Sequence, residues 1–155
     1  MSDNTGNNDV GGIYNYGGTL TVNRSIVRDN TSAASDSGGI FNYYGSTATL
    51  SYSTVRNNTA FHDGGGIENL GTMTLAHTTV RGNTAGNDGG GIANEGGGST
   101  ALTSSTVERN TANGGPNSGG GIFNGGGTVT LDGSSVRNNT PDNCAPENTI
   151  SGCIN

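Results

Sequence analysis

Apolar side chains are scarce in this chain of 155 residues: they make up 28% of it, aromatic ones 5%, and tryptophan is absent. So little apolar material cannot fill a thick globular core, and composition alone borders on the disordered class. No window is apolar for the length that a membrane span needs. Basic residues are few as well, six against twelve acidic ones, for a net charge of −6. A chain with so little positive charge is not expected to partner nucleic acid. Met1-Ser2-Asp3-Asn4 carries neither the basic nor the apolar region of an export signal. Cysteine occurs twice, at Cys144 and Cys153. Two cysteines do not make a metal site, but they can close a short loop around Pro146 as a disulfide in an exported protein.

What is abundant is glycine, thirty residues, without the every-third register of a collagen helix. The glycines belong to a repeat. Gly-Gly precedes Ile13, Ile40, Ile67, Ile92 and Ile122, and two residues after each isoleucine stands Asn15, Asn42, Asn69, Asn94 or Asn124. Val27, Val55, Val80, Val107 and Val136 follow, each with an asparagine three residues on (Asn30, Asn58, Asn83, Asn110, Asn139). Val22, Leu50, Leu75, Leu102 and Leu131 lie five residues before the valines. Isoleucine spacings are 27, 27, 25 and 30 residues, while spacing inside each apolar stretch is constant. Fixed segments joined by variable loops are the mark of a solenoid, whose core becomes continuous only when neighbouring turns stack. This argues against disorder.

Leu20 and Val22, Met73 and Leu75, and Val129 and Leu131 alternate with outward threonines, the period of a strand. The expected fold is all-β: a right-handed parallel β-helix of about five coils, with three short strands per coil stacked about 4.8 Å apart. The row asparagines are expected to run as amide ladders. Residues 1–140 form the repeats and 141–155 a C-terminal cap holding the cysteine loop. Asp3-Asn4-Thr5 aligns with Asp29-Asn30-Thr31, so the chain opens inside a coil. It reads as an excised piece of a longer protein that keeps the parent's C-terminal end. The open N-terminal coil offers strand edges for end-to-end self-association.

Val-x-x-Asn-(Asn)-Thr followed by Gly-Gly-Ile resembles the repeat of pectin-lyase-like right-handed β-helix proteins of bacterial cell surfaces. It is also similar to the repeat of the chlamydial polymorphic outer-membrane proteins. Val27-Arg28-Asp29-Asn30 places valine where that family has phenylalanine, and Gly39-Ile40 lacks the family's alanine. The resemblance covers nearly the whole chain. It implies a secreted or surface-displayed, adhesin-like module, without the family's membrane barrel. It specifies fold more than function, since lyases, hydrolases and adhesins share this architecture.

Four outward rows are candidates for chemistry. Asp9, Asp36, Asp63 and Asp88 each lie four residues before a row isoleucine. Stacked carboxylates repel, and calcium would suit them; the structural alternative is that each accepts backbone N–H groups of the following glycine corner. Arg28, Arg56, Arg81 and Arg137 form a basic column with Glu108 in the fourth coil. It suits an anionic glycan or sulfate, or else is a solvated stripe. Tyr14 and Phe41, beside Tyr16 and Tyr43, make an aromatic patch for sugar rings or a surface partner. Thr19 and Thr21, Thr47 and Thr49, Thr72 and Thr74, and Thr128 and Thr130 form a Thr-x-Thr ladder that resembles the ice-binding face of antifreeze β-helices. Good outward strand propensity accounts for the same threonines.

Glu68 and Glu95 fall one coil apart on one face, which glycoside cleavage would require of two carboxyls. His62 and His77 stand in different corners with no nucleophile motif around them. The expected function is therefore binding of a glycan or surface partner through the aromatic and arginine rows. A polysaccharide lyase or hydrolase, with calcium, is the alternative, and ice binding the third.

Overall fold

The structure is a computed structural model that describes residues 1–7 and 10–155. Asp9, of the acidic row, lies outside the described residues. The described chain is a parallel β-solenoid of about five turns, built from four stacked sheets and no helix. Among the described residues, no helix is long and apolar enough to cross a membrane.

The Ile sheet stacks Ile13–Asn15, Ile40–Asn42, Ile67–Asn69, Ile92–Glu95, Ile122–Gly125 and Cys144–Ala145. The Leu sheet follows in each turn, with Thr19–Asn23, Thr47–Ser51, Thr72–Ala76, Ser99–Thr103 and Thr128–Asp132. The Val sheet holds Ile26–Arg28, Thr54–Arg56, Thr79–Arg81, Thr106–Glu108 and Ser135–Arg137. Three strands per turn were expected; a fourth is present. Thr5–Gly6, Thr31–Ser32, Thr59–Ala60, Thr84–Ala85 and Thr111–Ala112 form a sheet of two-residue strands. Two residues are too few to display a period, so the repeat alone did not reveal it.

Register is one-to-one: Ile13, Ile40, Ile67, Ile92 and Ile122 pair in succession. Ile40, Ile67, Ile92, Ile122, Leu50, Leu75, Leu102, Val55, Val80 and Val107 are fully or almost fully buried. Each such side chain contributes roughly 1.5–3 kcal/mol on leaving water. The Gly-Gly pair before each isoleucine permits close approach of the turns. A Cβ on Gly65 would lie 2.5 Å from the Gly90 carbonyl oxygen in the next coil, a clash with backbone that cannot rotate away.

Two amide ladders line the interior. Asn15 Nδ2 donates to Asn42 Oδ1 (2.8 Å), Asn42 to Asn69 (2.8 Å), Asn69 to Asn94 (3.0 Å) and Asn94 to Asn124 (3.0 Å). The second runs Asn4, Asn30, Asn58, Asn83, Asn110, Asn139 and Asn143 with links of 2.7 to 3.1 Å. Thr100 stands where other coils place an apolar residue. Its hydroxyl accepts from Asn69 Nδ2 and donates to Asn94 Oδ1, so it joins the ladder. A hydroxyl ladder accompanies these at the corner between the Leu and Val sheets. The backbone N–H groups of Ser25, Ser53, Thr78 and Ser105 donate to the side-chain oxygens of Ser53, Thr78, Ser105 and Ser134.

Cys144 and Cys153 are joined in a disulfide, as expected, which fits an oxidising compartment. Cys144 pairs with Ile122 and Ala145 with Phe123, so the tail lays one more strand on the Ile sheet. Asn143 ends the second ladder, and its own Nδ2 donates to the Ile154 carbonyl oxygen.

Candidate binding face

Alternate residues of the Ile-sheet strands point outward. In register they read Tyr14, Phe41, Glu68, Ala93 and Phe123. Two residues further on in each coil stand Tyr16, Tyr43, Leu70, Glu95 and Gly125. The face therefore changes character along the solenoid, from aromatic to acidic.

The aromatic half is one connected platform. Tyr14 stacks on Phe41 with ring centroids 5.2 Å apart and planes 13° from parallel. Tyr16 and Tyr43 lie 5.3 Å apart, and Tyr43 meets Phe41 and Tyr44 edge-on at 5.7 and 5.1 Å. Such pairs add about 0.5–1.5 kcal/mol each beyond area burial. Tyr14, Tyr16 and Tyr44 nevertheless remain 46, 72 and 50% exposed. Tyr44, which sequence reasoning passed over, extends the platform. A Cβ on Gly96 would lie 2.2 Å from its hydroxyl oxygen, so the ring reaches across to the residue after Glu95. Its sequence signal was only a second tyrosine beside Tyr43.

The acidic half is recessed. Gly64, in the left-handed conformation (φ 62°), folds the corner after Asp63 onto the strand, where a Cβ would lie 2.7 Å from Glu68 Cβ. Gly89 lies equally close over Ala93. Glu68 is consequently 4% exposed, and its Oε2 is sealed from solvent with no hydrogen-bond partner. Burial, followed by the charges of Asp36, Glu95 and Asp63, pushes its carboxyl up to about 9. Glu95 is pushed up to about 7 by burial, Asp63, Asp88 and Asp36. Glu95 pairs with Gly125, where an added Cβ would meet both the Glu95 side chain and the Phe123 ring. The expected proximity of Glu68 and Glu95 thus holds: Glu68 pairs with Ala93, two residues before Glu95 on the same side of the strand.

The Asp row meets this cluster at its edge. Asp63 Oδ1 accepts the Asp88 N–H at 2.8 Å, so the carboxylate serves the next coil's corner rather than its own. Burial raises the Asp63 carboxyl and that hydrogen bond opposes the rise; Asp88 is raised by burial and by Asp63. Asp36 Oδ1 lies 3.4 Å from His62 Nδ1. Among the described residues, no three His, Cys, Asp or Glu side chains gather closely enough to hold a metal ion.

The Arg row belongs to a different sheet. Arg28, Arg56, Arg81, Glu108 and Arg137 are in register on the Val sheet. Arg28 pairs with Asp29 and Asp3. Arg137 donates from Nε and Nη2 to Glu108 Oε2. The aromatic and arginine rows, expected to act together, are separated by the whole Leu sheet. That sheet presents Thr19, Thr47, Thr72, Ser99 and Thr128 in one column and Thr21, Thr49, Thr74, Ala101 and Thr130 in another. His77, apart from these rows, stacks on Tyr52 at 4.8 Å.

Comparison with family models, curated proteins and solved structures gives no match for this chain. The repeat's resemblance to pectin-lyase-like and chlamydial surface proteins therefore reaches the β-solenoid architecture and stops there. Function has to be argued from the faces.

Proposed function

We propose that this chain is a secreted or surface-displayed β-solenoid binding module that holds a glycan against the aromatic platform of the Ile sheet. The observation that carries this reading is the connected, exposed set of Tyr14, Tyr16, Phe41, Tyr43 and Tyr44 rings. Exposed aromatics on rigid strands contribute large contact area with little ordering cost on binding, and the C–H faces of sugar rings suit them. The platform lies open, with no enclosed pocket among the described residues, which suits an extended polymer. The disulfide supports an oxidising destination.

The test is retention in gels containing neutral and charged polysaccharides. Tyr16→Ala and Tyr43→Ala should each weaken retention about tenfold, near 1.4 kcal/mol, with both variants still folded, although Tyr43→Ala, which loses four ring contacts, should melt at a lower temperature. Unaltered retention in both variants would refute the platform.

A second reading rests on the Leu sheet. Its two hydroxyl-bearing columns hold register through all five coils, broken only by Ala101, and carry no charge. A regular uncharged hydroxyl lattice is the kind of surface that could order water as ice does. Thermal hysteresis in the wild-type chain that disappears in Thr74→Tyr would support it, and no hysteresis would end it.

A further inference from the structure

Four of the chain's six arginines, against one of its twelve acidic residues, stand on the Val sheet. Val55 and Val80 point inward and are fully buried, so Arg56 and Arg81, the next residues along each strand, point outward. The column is in register, and its members lie one coil apart, about 4.8 Å at the backbone. Both ends of it are already neutralised. Arg28 is held by Asp29, with Asp3 at 4.0 Å, and Arg137 donates twice to Glu108. Arg56 and Arg81, in the middle, form no ion pair among the described residues.

The acids on either side are committed elsewhere. Asp29 accepts from Arg28 through Oδ2 and from Asn57 Nδ2 through Oδ1. Glu108, in register with Arg81, turns instead to Arg137. The corner beside the column repeats the same pattern. Asp29 is followed there by Asn57 and Gly82, all three in left-handed backbone (φ 55°, 55° and 63°). The carboxylate that serves the first arginine is thus replaced by an amide beside Arg56 and by no side chain beside Arg81. Like charges directly opposite on neighbouring strands repel. An anion between them replaces that repulsion with charge-assisted hydrogen bonds. Thr54 and Thr79, half-buried and two residues earlier, add hydroxyls on the same face.

The number of oxygens selects the anion. One guanidinium fork matches the two oxygens of a carboxylate, whereas two forks one coil apart call for a third. A sulfate ester presents three terminal oxygens at a single negative charge. It therefore meets less repulsion from a chain of net charge −6 than a doubly charged phosphate monoester does. We propose that Arg56 and Arg81 form an anion site on the Val sheet that takes the sulfate ester of a sulfated polysaccharide. The column runs open along the solenoid axis, with no enclosed pocket among the described residues, so that a polymer can lie along it. The Leu sheet separates this site from the aromatic platform, and the two readings stand independently.

Calorimetric titration of the whole chain at pH 7 and low salt tests it, with dextran sulfate, polygalacturonate and inorganic polyphosphate as probes. Dextran sulfate should bind about tenfold more tightly than polygalacturonate, and more weakly as salt is raised. Arg56→Gln and Arg81→Gln should each cost about tenfold. Arg24→Gln, which removes an equal charge at a corner beside Tyr52, should change affinity less than about twofold, and so should Tyr16→Ala. Glu108→Gln, which releases Arg137, should strengthen binding about threefold. Equal affinity for dextran sulfate and polygalacturonate would overturn the three-oxygen fit, and tighter binding of polyphosphate would overturn the sulfate. A loss in Arg24→Gln as large as in Arg56→Gln would reduce the site to diffuse charge. Binding abolished by Tyr16→Ala would move the polymer to the platform and overturn the arginine site. Dimers at low salt that vanish in Arg56→Gln would give the face to a second copy instead. No binding of dextran sulfate would end the proposal and leave the platform reading untouched.

Discussion

Within a single strand of the Ile sheet, neighbouring residues obey different rules. Ile67 and Asn69 point inward and are matched in every coil by Ile and Asn, whereas Glu68 between them follows Phe41 and precedes Ala93. The inward residues are held by their copies above and below. An isoleucine packs on an isoleucine, and an asparagine donates to an asparagine. The outward residue answers to nothing in the repeat. Where a solenoid repeats strictly, the neighbouring coil is the constraint; where a column drifts from Tyr to Phe to Glu, the neighbouring coil imposes none, and the surface is free to differ from one end of the solenoid to the other.

The largest effect should come from the inner half of the comparison. Asn83 accepts the backbone N–H and Nδ2 of Asn58, and donates to Asn110 Oδ1 and the Val55 carbonyl oxygen. Asn83→Ala leaves the Asn58 backbone N–H and one Asn58 Nδ2 hydrogen without their acceptor and takes a donor from the Val55 carbonyl, while the backbone N–H of residue 83 still serves Asn110 Oδ1, at a cost of about 4 kcal/mol. Denaturant titration should show the loss; a change under about 1 kcal/mol would mean that the ladder is not what holds the coils.

Next comes Glu68, an outward residue that burial has made costly. Its carboxyl, at about 9 in the fold against an ordinary 4.5, keeps a proton that the unfolded chain releases. Its contribution is fully present below about pH 4.5 and is lost as the pH rises towards 9, an effect of a few kcal/mol. Melting temperature should therefore fall from pH 5 to about 9 in the wild type, and Glu68→Gln should flatten that slope. A parallel decline in both proteins would show that other groups cause it.

A smaller effect is expected where a buried corner position departs from its own column. Ser37 takes the left-handed place (φ 47°) that Gly64, Gly89 and Gly119 take in later coils, and its buried hydroxyl has no partner. Ser37→Gly should stabilise the fold by about 1 kcal/mol, through relief of backbone strain and of an unpaired hydroxyl. A destabilised variant would show that the hydroxyl has a role in the second coil.

The smallest expected change in stability is at Tyr16, 72% exposed. Tyr16→Ala should leave stability within about 0.5 kcal/mol while weakening glycan retention. A large loss of stability would place Tyr16 with the scaffold and blur the contrast between the two sets of residues.

Much of this was legible in the sequence, and for a definite reason. A solenoid's contacts fall between residues at equal places in successive repeats, so alignment of the chain with itself gives the register directly. Ile40, Ile67 and Ile92 could be stacked before any coordinates, and so could both asparagine ladders. The two-residue Thr–Ala strands were not legible, because period two needs more than two residues to be seen. The role of Thr100 was not legible either, because its hydrogen-bond partners Asn69 and Asn94 belong to another sheet.

Site residues divide along the same line. Tyr14, Phe41, Tyr16 and Tyr43 share columns and could be grouped from spacing. Tyr44 sits outside any column, and only the corner's path brings its hydroxyl over Gly96. The arginine and aromatic rows were expected to act together, as one binding surface. Which sheet a row occupies, and what lies between two rows, depends on how the coil turns.

The sequence by itself determined the parallel stacking, the core, the ladders and the disulfide partners. Each follows from local period or from identity between repeats, and a residue's inward or outward sense is set by its parity in the strand. Only the tertiary structure decided that Glu68, outward by parity, is nonetheless buried. The corner at Asp63–Gly64 folds back over it, and that fold-back is set by left-handed backbone at Gly64 and by the next coil's N–H groups, not by strand periodicity. The meeting of a recessed carboxyl pair with an open aromatic platform has the same origin.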